Sequence, residues 1–281
     1  MTSRLKSAVA FLAATVGFGA VASQAQAQIF QDNSITYSYG TKFHEPYNPK
    51  DITKSWVSYL HVDGDKWGGN FFLLDAKFSD NKDPTPGGLG AQELYGIYIR
   101  TFSYNKLTGS KGGFGPIADF GWTVGGHANA KNDTFGSEKR LLTSGLYLDW
   151  AVPAGSRLRT SFEVCREWNR SNFSSSQDAD FHPTFCFNSS WGVPFKVAHV
   201  PMEFAGFYGI VAPKGENTVT EHYLGLNLMA DVGEALGARK GLLEVGIRYD
   251  YWLNKFGNDS GGAAGSGAFD RVPMLQVRTH F

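Results

Sequence analysis

The chain has 281 residues, with 26 Lys and Arg against 26 Asp and Glu, so its formal net charge is zero. Because binding to a phosphate backbone requires a surplus of cationic side chains, this balance argues against nucleic acid as the main partner. Glycine, at 34 residues, and aromatic residues, at 15%, are both abundant for an α-helical enzyme.

The start of the chain has the pattern of a cleaved secretory signal, residues 1–27. Arg4 and Lys6 supply positive charge, residues 8–21 form an apolar run, and the segment ends with the small-x-small spacing of a signal peptidase site. The alternative, a transmembrane anchor, needs about 20 apolar residues, and this run is shorter. We therefore expect an exported mature chain of residues 28–281, which has no linker or change in composition and is interpreted as one domain.

The mature chain consists of stretches in which polar and apolar residues alternate, separated by turn residues. In residues 241–254, Val245 and Ile247 share one face while Arg248 and Asp250 share the other. This period of two indicates β-strands with one apolar and one polar face. Twelve strands are predicted, at 34–43, 53–63, 67–78, 92–104, 114–128, 139–150, 157–169, 180–190, 195–210, 220–231, 241–256 and 271–281.

The connections between these strands also alternate in character. Several are tight, namely residues 63–66, 153–155 and 192–194. Those at the other end are long or polar, at 44–52, 79–91, 129–138, 170–179, 211–219 and 257–270. An even strand count, with short turns at one end and longer loops at the other, is typical of a bacterial outer-membrane barrel.

A soluble β-sandwich also alternates, but its strands average about five or six residues, whereas a tilted membrane-spanning strand needs about 9–11. Many stretches here reach that length, and their polar faces carry charges that a protein core would not accept unpaired. Tryptophans fall near strand ends, as an interfacial girdle requires, at Trp56, Trp67, Trp122, Trp150, Trp168 and Trp252. The sequence therefore predicts an all-β fold, a transmembrane antiparallel β-barrel of about 12 strands in outer-membrane lipid.

Two stretches in the first half of the chain are distinctive. One is Tyr39-Gly40-Thr41-Lys42-Phe43, followed by residues 56–74 with an Asp-Lys-Trp turn. The other is Phe102-Ser103-Tyr104-Asn105-Lys106-Leu107-Thr108, followed by Phe114-Gly115-Pro116. Both resemble the nucleoside-specific channel-forming porins of the outer membrane, the Tsx family, which carries a similar Phe-Ser-x-Asp-Lys-Leu-Thr stretch with Phe-Gly-Pro a few residues on. Weaker likenesses at 165–169 and 224–227 extend the resemblance over most of the mature chain.

The resemblance implies a monomeric twelve-stranded barrel through which nucleosides and deoxynucleosides pass passively along weak binding positions. The aromatic residue that this family uses in substrate recognition falls on Phe43. The chain departs from the family at His44, where the family has Gly, so the pore mouth carries extra bulk here.

The alternation also predicts which side chains line the lumen. An uncharged nucleoside needs aromatic faces for stacking and polar groups for its ribose, and several weak sites in series suit transport better than one tight site. The candidates are Lys42, Phe43, Phe71, Asp75, Lys77, Arg100, Asp119, Thr123, Tyr147, Asp149, Arg159, Glu163, Glu203, Phe207, Arg248, Asp250 and Arg278. A lumen with both signs of charge is consistent with nucleosides or similar small polar solutes.

Several of these assignments stay open at this point. Charged neighbours such as Arg159 and Glu163 are equally interpreted as ion pairs that hold the shape of the lumen. A bulge in its strand would turn Phe71 or Phe207 towards lipid.

Two further ambiguities concern the first and fourth strands. Strict alternation sends Lys42 and Phe43 to opposite faces unless the first strand has ended there. In the fourth strand, an inward Arg100 brings Tyr98 and Phe102 with it, whereas an inward Glu93 selects Tyr95 and Ile97. A bulge between them would reconcile both.

The two cysteines fall on the inward parity of neighbouring strands. Cys165 and Cys186 are equidistant from the middle of a loop near residues 175–176. In that register they are directly opposite, at a Cα separation of about 4.5–5.5 Å, which is within disulfide range. Because exported proteins meet oxidising conditions, we predict a cross-strand disulfide; the alternative is two reduced thiols lining the lumen.

The sequence has no catalytic signature. It lacks a Gly-x-Ser-x-Gly elbow, a His-Glu-x-x-His pair and a phosphate-binding glycine loop, and its seven histidines do not have the spacing of metal ligands. We expect no enzyme activity, no cofactor and no metal. Two alternatives to a channel are a barrel with a closed lumen that serves as a structural or surface-interaction protein, and a lipid-modifying outer-membrane enzyme.

Overall fold

The computed structural model describes residues 29–170, 178–215 and 217–281, so the predicted signal at 1–27 lies outside the described residues. This part of the chain contains thirteen β-strands. They are β1 (Phe30–Glu45), β2 (Asn48–Gly64), β3 (Gly68–Ser79), β4 (Gln92–Ser103), β5 (Ile117–Lys131), β6 (Arg140–Trp150), β7 (Arg157–Arg170), β8 (Asp178–Asp180), β9 (Thr184–Val197), β10 (Val200–Val211), β11 (Glu221–Asp231), β12 (Glu244–Leu253) and β13 (Phe269–His280).

Twelve of these strands form a closed antiparallel barrel. Consecutive strands are hydrogen-bonded, β7 pairs with β9 beyond the short β8, and β13 closes the ring against β1. β8 is a three-residue strand beside the end of β7. A closed ring leaves no long sheet edge exposed. The predicted all-β barrel of twelve strands is confirmed.

One predicted connection is much shorter than expected. β1 and β2 continue to Glu45 and from Asn48, joined by a tight turn in which Tyr47 has a φ of 66°. The polar residues of the segment predicted as a loop at 44–52 are therefore mostly strand. Glu45 faces the polar interior, whereas Lys50 and Asp51 are exposed at the loop end.

The turn predicted at residues 192–194 is wrong, because these residues lie inside β9. The ladder between β7 and β9 ends at the pair Arg157 and Gly192, so beyond it one edge of β9 has no partner. A proline is tolerated at such an edge because its missing N–H removes no ladder hydrogen bond, and Pro194 lies there. The chain turns instead at 198–199.

The connections define two ends of the barrel. The loop end carries the connections at 46–47, 80–91, 132–139, 212–220 and 254–268 and the one between β7 and β9. The terminal end carries residues 29 and 281 and the connections at 65–67, 104–116, 151–156, 198–199 and 232–243, with two short helices, α1 (Tyr104–Thr108) and α2 (Val232–Ala235). None of the described helices is long or apolar enough to cross a membrane.

The wall of the barrel is apolar on its outer face and polar on its inner face. In β1, Ser34 and Ser38 are buried while Ile35 and Tyr37 are exposed. The exposed outer face carries large apolar side chains all around the ring, including Val57, Phe78, Trp122, Val124, Leu142, Leu146, Phe162, Val164, Phe185, Phe204, Val245, Ile247, Leu275 and Val277. This is the inverse of a soluble domain, in which the apolar face forms the core.

Candidate solute-binding lumen

An arginine lies between aromatic rings at the centre of the lumen. Arg248 donates to Asp250 at 2.7 Å and to the Tyr223 hydroxyl at 2.9 Å, and that hydroxyl donates to Asp250 at 3.0 Å. The guanidinium carbon is 5.7 Å from the ring centroids of both Trp56 and Phe207. These contacts join β12 to β2 although β1 and β13 lie between them in the wall, so side chains reach across the interior here.

A glycine makes room for this arrangement on β11. A Cβ atom at Gly225 would lie 2.6 Å from the Phe207 ring and 3.3 Å from an Arg248 nitrogen. A larger residue would therefore push the ring or the guanidinium further into the lumen.

A lysine approaches the same aromatic group from β3. The Lys77 ammonium lies 5.0 Å from the Tyr95 centroid and 5.8 Å from the Trp56 centroid. It is also 3.8 Å from Glu93 and 4.0 Å from Asp75. We name this group the central belt; its members are Trp56, Asp75, Lys77, Tyr95, Phe207, Tyr223, Arg248 and Asp250.

Further rings extend the belt along the lumen. Phe43 lies 5.6 Å from Trp56, and Trp252 stacks on Tyr223 at 4.7 Å, both between ring centroids. Aromatic faces beside charged groups of both signs are suited to holding a flat base and a polyhydroxylated sugar without a net charge requirement.

The terminal end of the lumen carries ion pairs that are open to water. Arg159 makes two hydrogen bonds to Asp149, at 2.6 and 2.7 Å, and its guanidinium lies 4.3 Å from the Tyr147 centroid. Arg157 pairs with Glu203 at 2.6 Å, with 61% and 27% of their side chains exposed. The lumen is therefore hydrated at this end.

The loop end carries a buried set of charges that we name the loop-end network. It consists of Glu45, Lys54, Asp83, Lys131, Asp133, Lys255 and Asp270, whose side chains are only 3–15% exposed. Lys131 lies 2.8 Å from Asp133 and 2.9 Å from Asp83, and 3.2 Å from Glu45. Lys54 also binds Glu45.

Three connections fold into the mouth of the barrel to complete this network. Asp83 comes from the β3–β4 connection, Asp133 from the β5–β6 connection and Lys255 from the β12–β13 connection. Burial alone would lower the pKa of the Lys255 ammonium, but Asp270, 2.8 Å away, and Glu45 outweigh it and hold the pKa above its usual range. A buried charge without its partners is costly, so the ion pairs of these side chains hold each loop in the mouth of the barrel.

Two loops are also attached to the wall at Glu167 on β7. Lys214 lies 2.6 Å from this carboxylate and Lys139 lies 3.5 Å from it. The Lys214 ammonium also lies 4.4 Å from the centroid of the Phe181 ring. Since Lys214 and Glu167 are both almost fully buried, this contact holds the β10–β11 connection against the inside of the wall.

Most of the predicted lumen residues lie on the inner face. They are Phe43, Phe71, Asp75, Lys77, Asp119, Thr123, Tyr147, Asp149, Arg159, Glu163, Glu203, Phe207, Arg248, Asp250 and Arg278, which share the parity of the buried positions on their strands. Asp119 accepts a hydrogen bond from Ser103, and Glu163 accepts from Ser161 and Asn188. Their part in solute binding stays a prediction.

Lys42 does not lie on the inner face. The register of β1 against β2 shifts between Gly40 and Phe43, where β1 advances three residues and β2 only two, so a bulge adds one extra residue to β1. Phe43 is 6% exposed and packs inside, while Lys42 is exposed. The strand continues through this point, and the bulge rather than a strand end brings Phe43 inward.

Arg100 faces outward, so its assignment to the lumen is wrong. β4 turns Glu93, Tyr95 and Thr101 inward without a bulge, which leaves Arg100 on the outer face. There it is held by Asp65 in the β2–β3 turn, at 2.9 Å. Alternation alone gave no means to choose between the two parities, because both faces of β4 carry polar residues.

This outward arginine adjoins a polar chain on β1 to β4. The Tyr59 hydroxyl donates to the side-chain Oδ1 of Asn33, and His61 Nδ1 lies 2.8 Å from the same oxygen. His61 Nε2 lies 3.1 Å from Asp63 Oδ2. Both imidazole nitrogens are thus engaged, and no hydroxyl nucleophile is among the partners recorded for His61 in the described part of the chain. Asn70 continues the chain at 2.5 Å from Asp63.

Two of the six tryptophans predicted to form the girdle lie inside the barrel. Trp56 is buried beside Phe43, and Trp252 donates to the buried Glu221 at 2.7 Å. The other four are outward or in a turn: Trp67, Trp122, Trp150 and Trp168. Proximity to a strand end does not show whether a tryptophan faces inward or outward. Alternation does: Trp56 lies on the same face of its strand as Lys54, and Trp252 on the same face as Asp250.

Cys165 and Cys186 are joined by a disulfide with a Cα separation of 6.0 Å. The predicted register is wrong, because Cys165 pairs with Thr184 and Cys186 with Glu163, so the cysteines are diagonal rather than opposite. Both face inward, beside Leu141.

Sequence reasoning gave Tyr95 only as one of two alternatives for the fourth strand, and it missed Tyr223 and the loop-end network. The two tyrosines share the parity of charged neighbours on their strands, which is a usable signal. Asp83, Asp133 and Lys255 lie in loops, where alternation gives no direction. Within the described residues, no group of three or more His, Cys, Asp or Glu side chains is arranged to hold a metal ion.

No family model and no curated protein matches the chain. Solved structures similar to it include the β domain of the Bordetella autotransporter BrkA, at 12% identity and a TM-score of 0.40 over 89% of this chain and 98% of that one. The translocator domain of the autotransporter NalP from Neisseria meningitidis is 10% identical, with a TM-score of 0.40 over 98% and 97%. The NanC porin is 7% identical, with a TM-score of 0.41 over 88% and 97%. These likenesses are to outer-membrane barrels and are too weak to argue from.

Proposed function

We propose that the protein is a monomeric, passive channel of the bacterial outer membrane for small polar solutes, with nucleosides as the foremost class. The observation that carries the proposal is a charged and aromatic lumen inside a closed wall with an apolar outer face. Apolar outward and polar inward positions are the arrangement of a transmembrane barrel with a wet interior. By the same rule the loop end is extracellular and the terminal end is periplasmic.

The central belt supports an uncharged, flat solute. Trp56, Phe207 and Tyr95 supply ring faces, while Arg248 and Asp250 supply donors and acceptors. Because the charges within the belt pair with one another, the site imposes no dominant sign on the solute. A solute that stacks beside these rings would be held weakly, as passage requires. The resemblance to nucleoside channels is consistent with this choice.

Single-channel recording tests the proposal. We expect nucleosides to reduce the current through the wild-type protein, and glucose or glycine at the same concentration to leave it unchanged. The Phe43→Ala variant should weaken this block, because it removes a ring beside Trp56. Phe78→Ala, at an exposed aromatic residue of the outer wall, is the matched control and should not change it. A current that is indifferent to every nucleoside would end the nucleoside assignment.

The loop-end network favours a second candidate, a barrel whose lumen is closed and which acts as a structural or surface-interaction protein. Buried ion pairs from three loops meet across the mouth of the barrel. Conductance distinguishes the two functions. Replacing Lys255 by Met leaves Asp270 without its closest cation and should release the β12–β13 connection. A wild type that never conducts, together with a conducting Lys255→Met variant, would establish the closed barrel.

We propose no catalytic role and no cofactor. A lipid-modifying enzyme would need a reactive histidine on the outer wall, and His61 is a candidate for that role. Both nitrogens of its ring already contact Asn33 and Asp63. A lipase or deacylase assay in which His61→Ala removes activity present in the wild type would overturn this statement.

A further inference from the structure

A recess opens on the outer wall across β5, β6 and β7. It has a volume of about 400 Å³ and is lined mainly by Val124, Gly125, Leu142, Ser144, Val164 and Arg166. Leu142 and Val164 flank it with exposed apolar side chains, and the small outward residue Ser144 lies two positions from Leu142 on the same strand. Its only charged lining residue lies on the loop-end side.

Arginines surround this side of the recess. Arg140 and Arg170 share the outward parity of Arg166 on the two neighbouring strands, and Arg140 pairs across the ladder with Trp168. The Arg166 guanidinium lies 5.4 Å from the Trp168 centroid. Register and parity therefore place these three arginines at neighbouring outward positions on the loop-end side of the recess.

The carboxylates near these arginines leave them accessible. Arg166 binds both oxygens of Asp180 through one nitrogen, at 2.7 and 2.9 Å, with 36% and 59% of the side chains exposed. Arg140 is 3.8 Å from Glu138. The exposed pair of Arg166 and Asp180 contributes little, and a guanidinium that binds a carboxylate also binds a phosphate.

We propose that this recess binds a phosphorylated glycolipid of the outer leaflet, with an acyl chain in the apolar groove and a phosphate on Arg140 and Arg166. The recess matches an acyl chain in polarity, and the arginines match an anionic headgroup in charge. The outer leaflet is chosen because the loop end is extracellular in the proposed function. The assignment of the lipid to that leaflet therefore rests on the proposed function. Lipid bound here would brace the wall next to Glu167, which holds the β5–β6 and β10–β11 connections from inside.

Native mass spectrometry of the full chain in detergent tests the site with three probes. They are a hexa-acylated diphosphoryl lipid A, the same lipid without its phosphates, and phosphatidylglycerol. We expect the wild type to bind the diphosphoryl lipid about tenfold more tightly than the dephosphorylated one, as charge-assisted hydrogen bonds provide. The Arg140→Ala/Arg166→Ala double variant should remove this difference. Ser144→Leu, which fills the groove, should weaken binding of both lipids.

Arg271→Ala is the matched control, since Arg271 is an exposed arginine at the same end of the barrel but on β13. It should bind all three probes as the wild type does. A double variant that binds the diphosphoryl lipid like the wild type overturns the site, and equal binding of phosphatidylglycerol overturns the choice of lipid. Because the channel function is measured separately as conductance, a failure of either idea is distinguishable from a failure of the other.

Discussion

Both ends of the lumen are lined by ion pairs, but the pairs differ in their access to water. At the loop end, Lys131 and Asp83 expose 6% and 4% of their side chains, whereas Arg157 and Glu203 at the terminal end expose 61% and 27%. Removing charges from water is costly, so a buried pair holds only while every member keeps a partner. An exposed pair exchanges its partner for water at little cost. The two ends of the lumen therefore differ in how much it costs to break their ion pairs.

The difference originates in which parts of the chain supply the charges. At the terminal end they come from strands, as in the pair Arg159 and Asp149, whose side chains are 41% and 31% exposed. At the loop end, Asp83, Asp133 and Lys255 reach in from connections and fill the space between strands. Mutations at the two ends should therefore have different consequences.

The largest expected effect is the loss of stability when one charge is removed from the loop end, compared with the removal of one charge from the terminal end. Lys131→Met leaves Glu45, Asp83 and Asp133 without their shared cation and should lower the free energy of unfolding by about 3–5 kcal/mol. Arg157→Met should lower it by less than about 1 kcal/mol. Urea unfolding in lipid vesicles, followed by tryptophan fluorescence, measures both. Equal losses for the two variants would abolish the distinction between the ends.

An intermediate effect is expected from the disulfide, which joins β7 to β9 in the loop-end half of the wall. Replacing both Cys165 and Cys186 by Ser should cost about 2–4 kcal/mol, because the crosslink closes a loop of 21 residues in the unfolded chain. Reducing the wild type with dithiothreitol should reproduce the loss, and the double variant should not respond to reductant. A variant as stable as the oxidised wild type would show that the loop-end charges alone hold this part of the barrel.

The smallest effect is expected at Asp65, in a turn of the terminal end. Burial opposes ionisation, but hydrogen bonds from Arg100 and from the backbone N–H groups of Trp67 and Gly68 lower the pKa of this carboxyl below its usual value. A lowered pKa in the folded state adds stability above the unfolded-state pKa, about 3.9, which is lost as the pH falls through the folded pKa.

Acidification from pH 5 to pH 3 should therefore reduce the stability of the wild type more than that of Asp65→Asn. Thermal melts at matched ionic strength provide the measurement. Asn132→Asp, in a loop-end connection, serves as a control for a change of charge alone. Identical pH dependence of wild type and Asp65→Asn would contradict the stabilising role of this turn.

Much of the barrel was predictable because one physical rule repeats along the chain. A strand between lipid and water must alternate, so the side chains of Ile247 and Arg248 report their faces without any knowledge of neighbours. The same rule identified Arg248 and Asp250 as inner residues. It failed at Lys42, where a bulge changes the parity, and at Arg100, where both faces of the strand carry polar groups.

By itself, the sequence determined the strand number, the alternation of the wall and most of the inward positions, because these depend on local periodicity. Only the tertiary structure decided that Trp56 lies beside Arg248, that the cysteines meet diagonally and that loops enter the mouth at Glu45. These features depend on the stagger of strands far apart in the chain and on side chains that meet across the interior. The local periodicity and composition of a sequence carry no information about the stagger of distant strands or about which side chains meet across the interior.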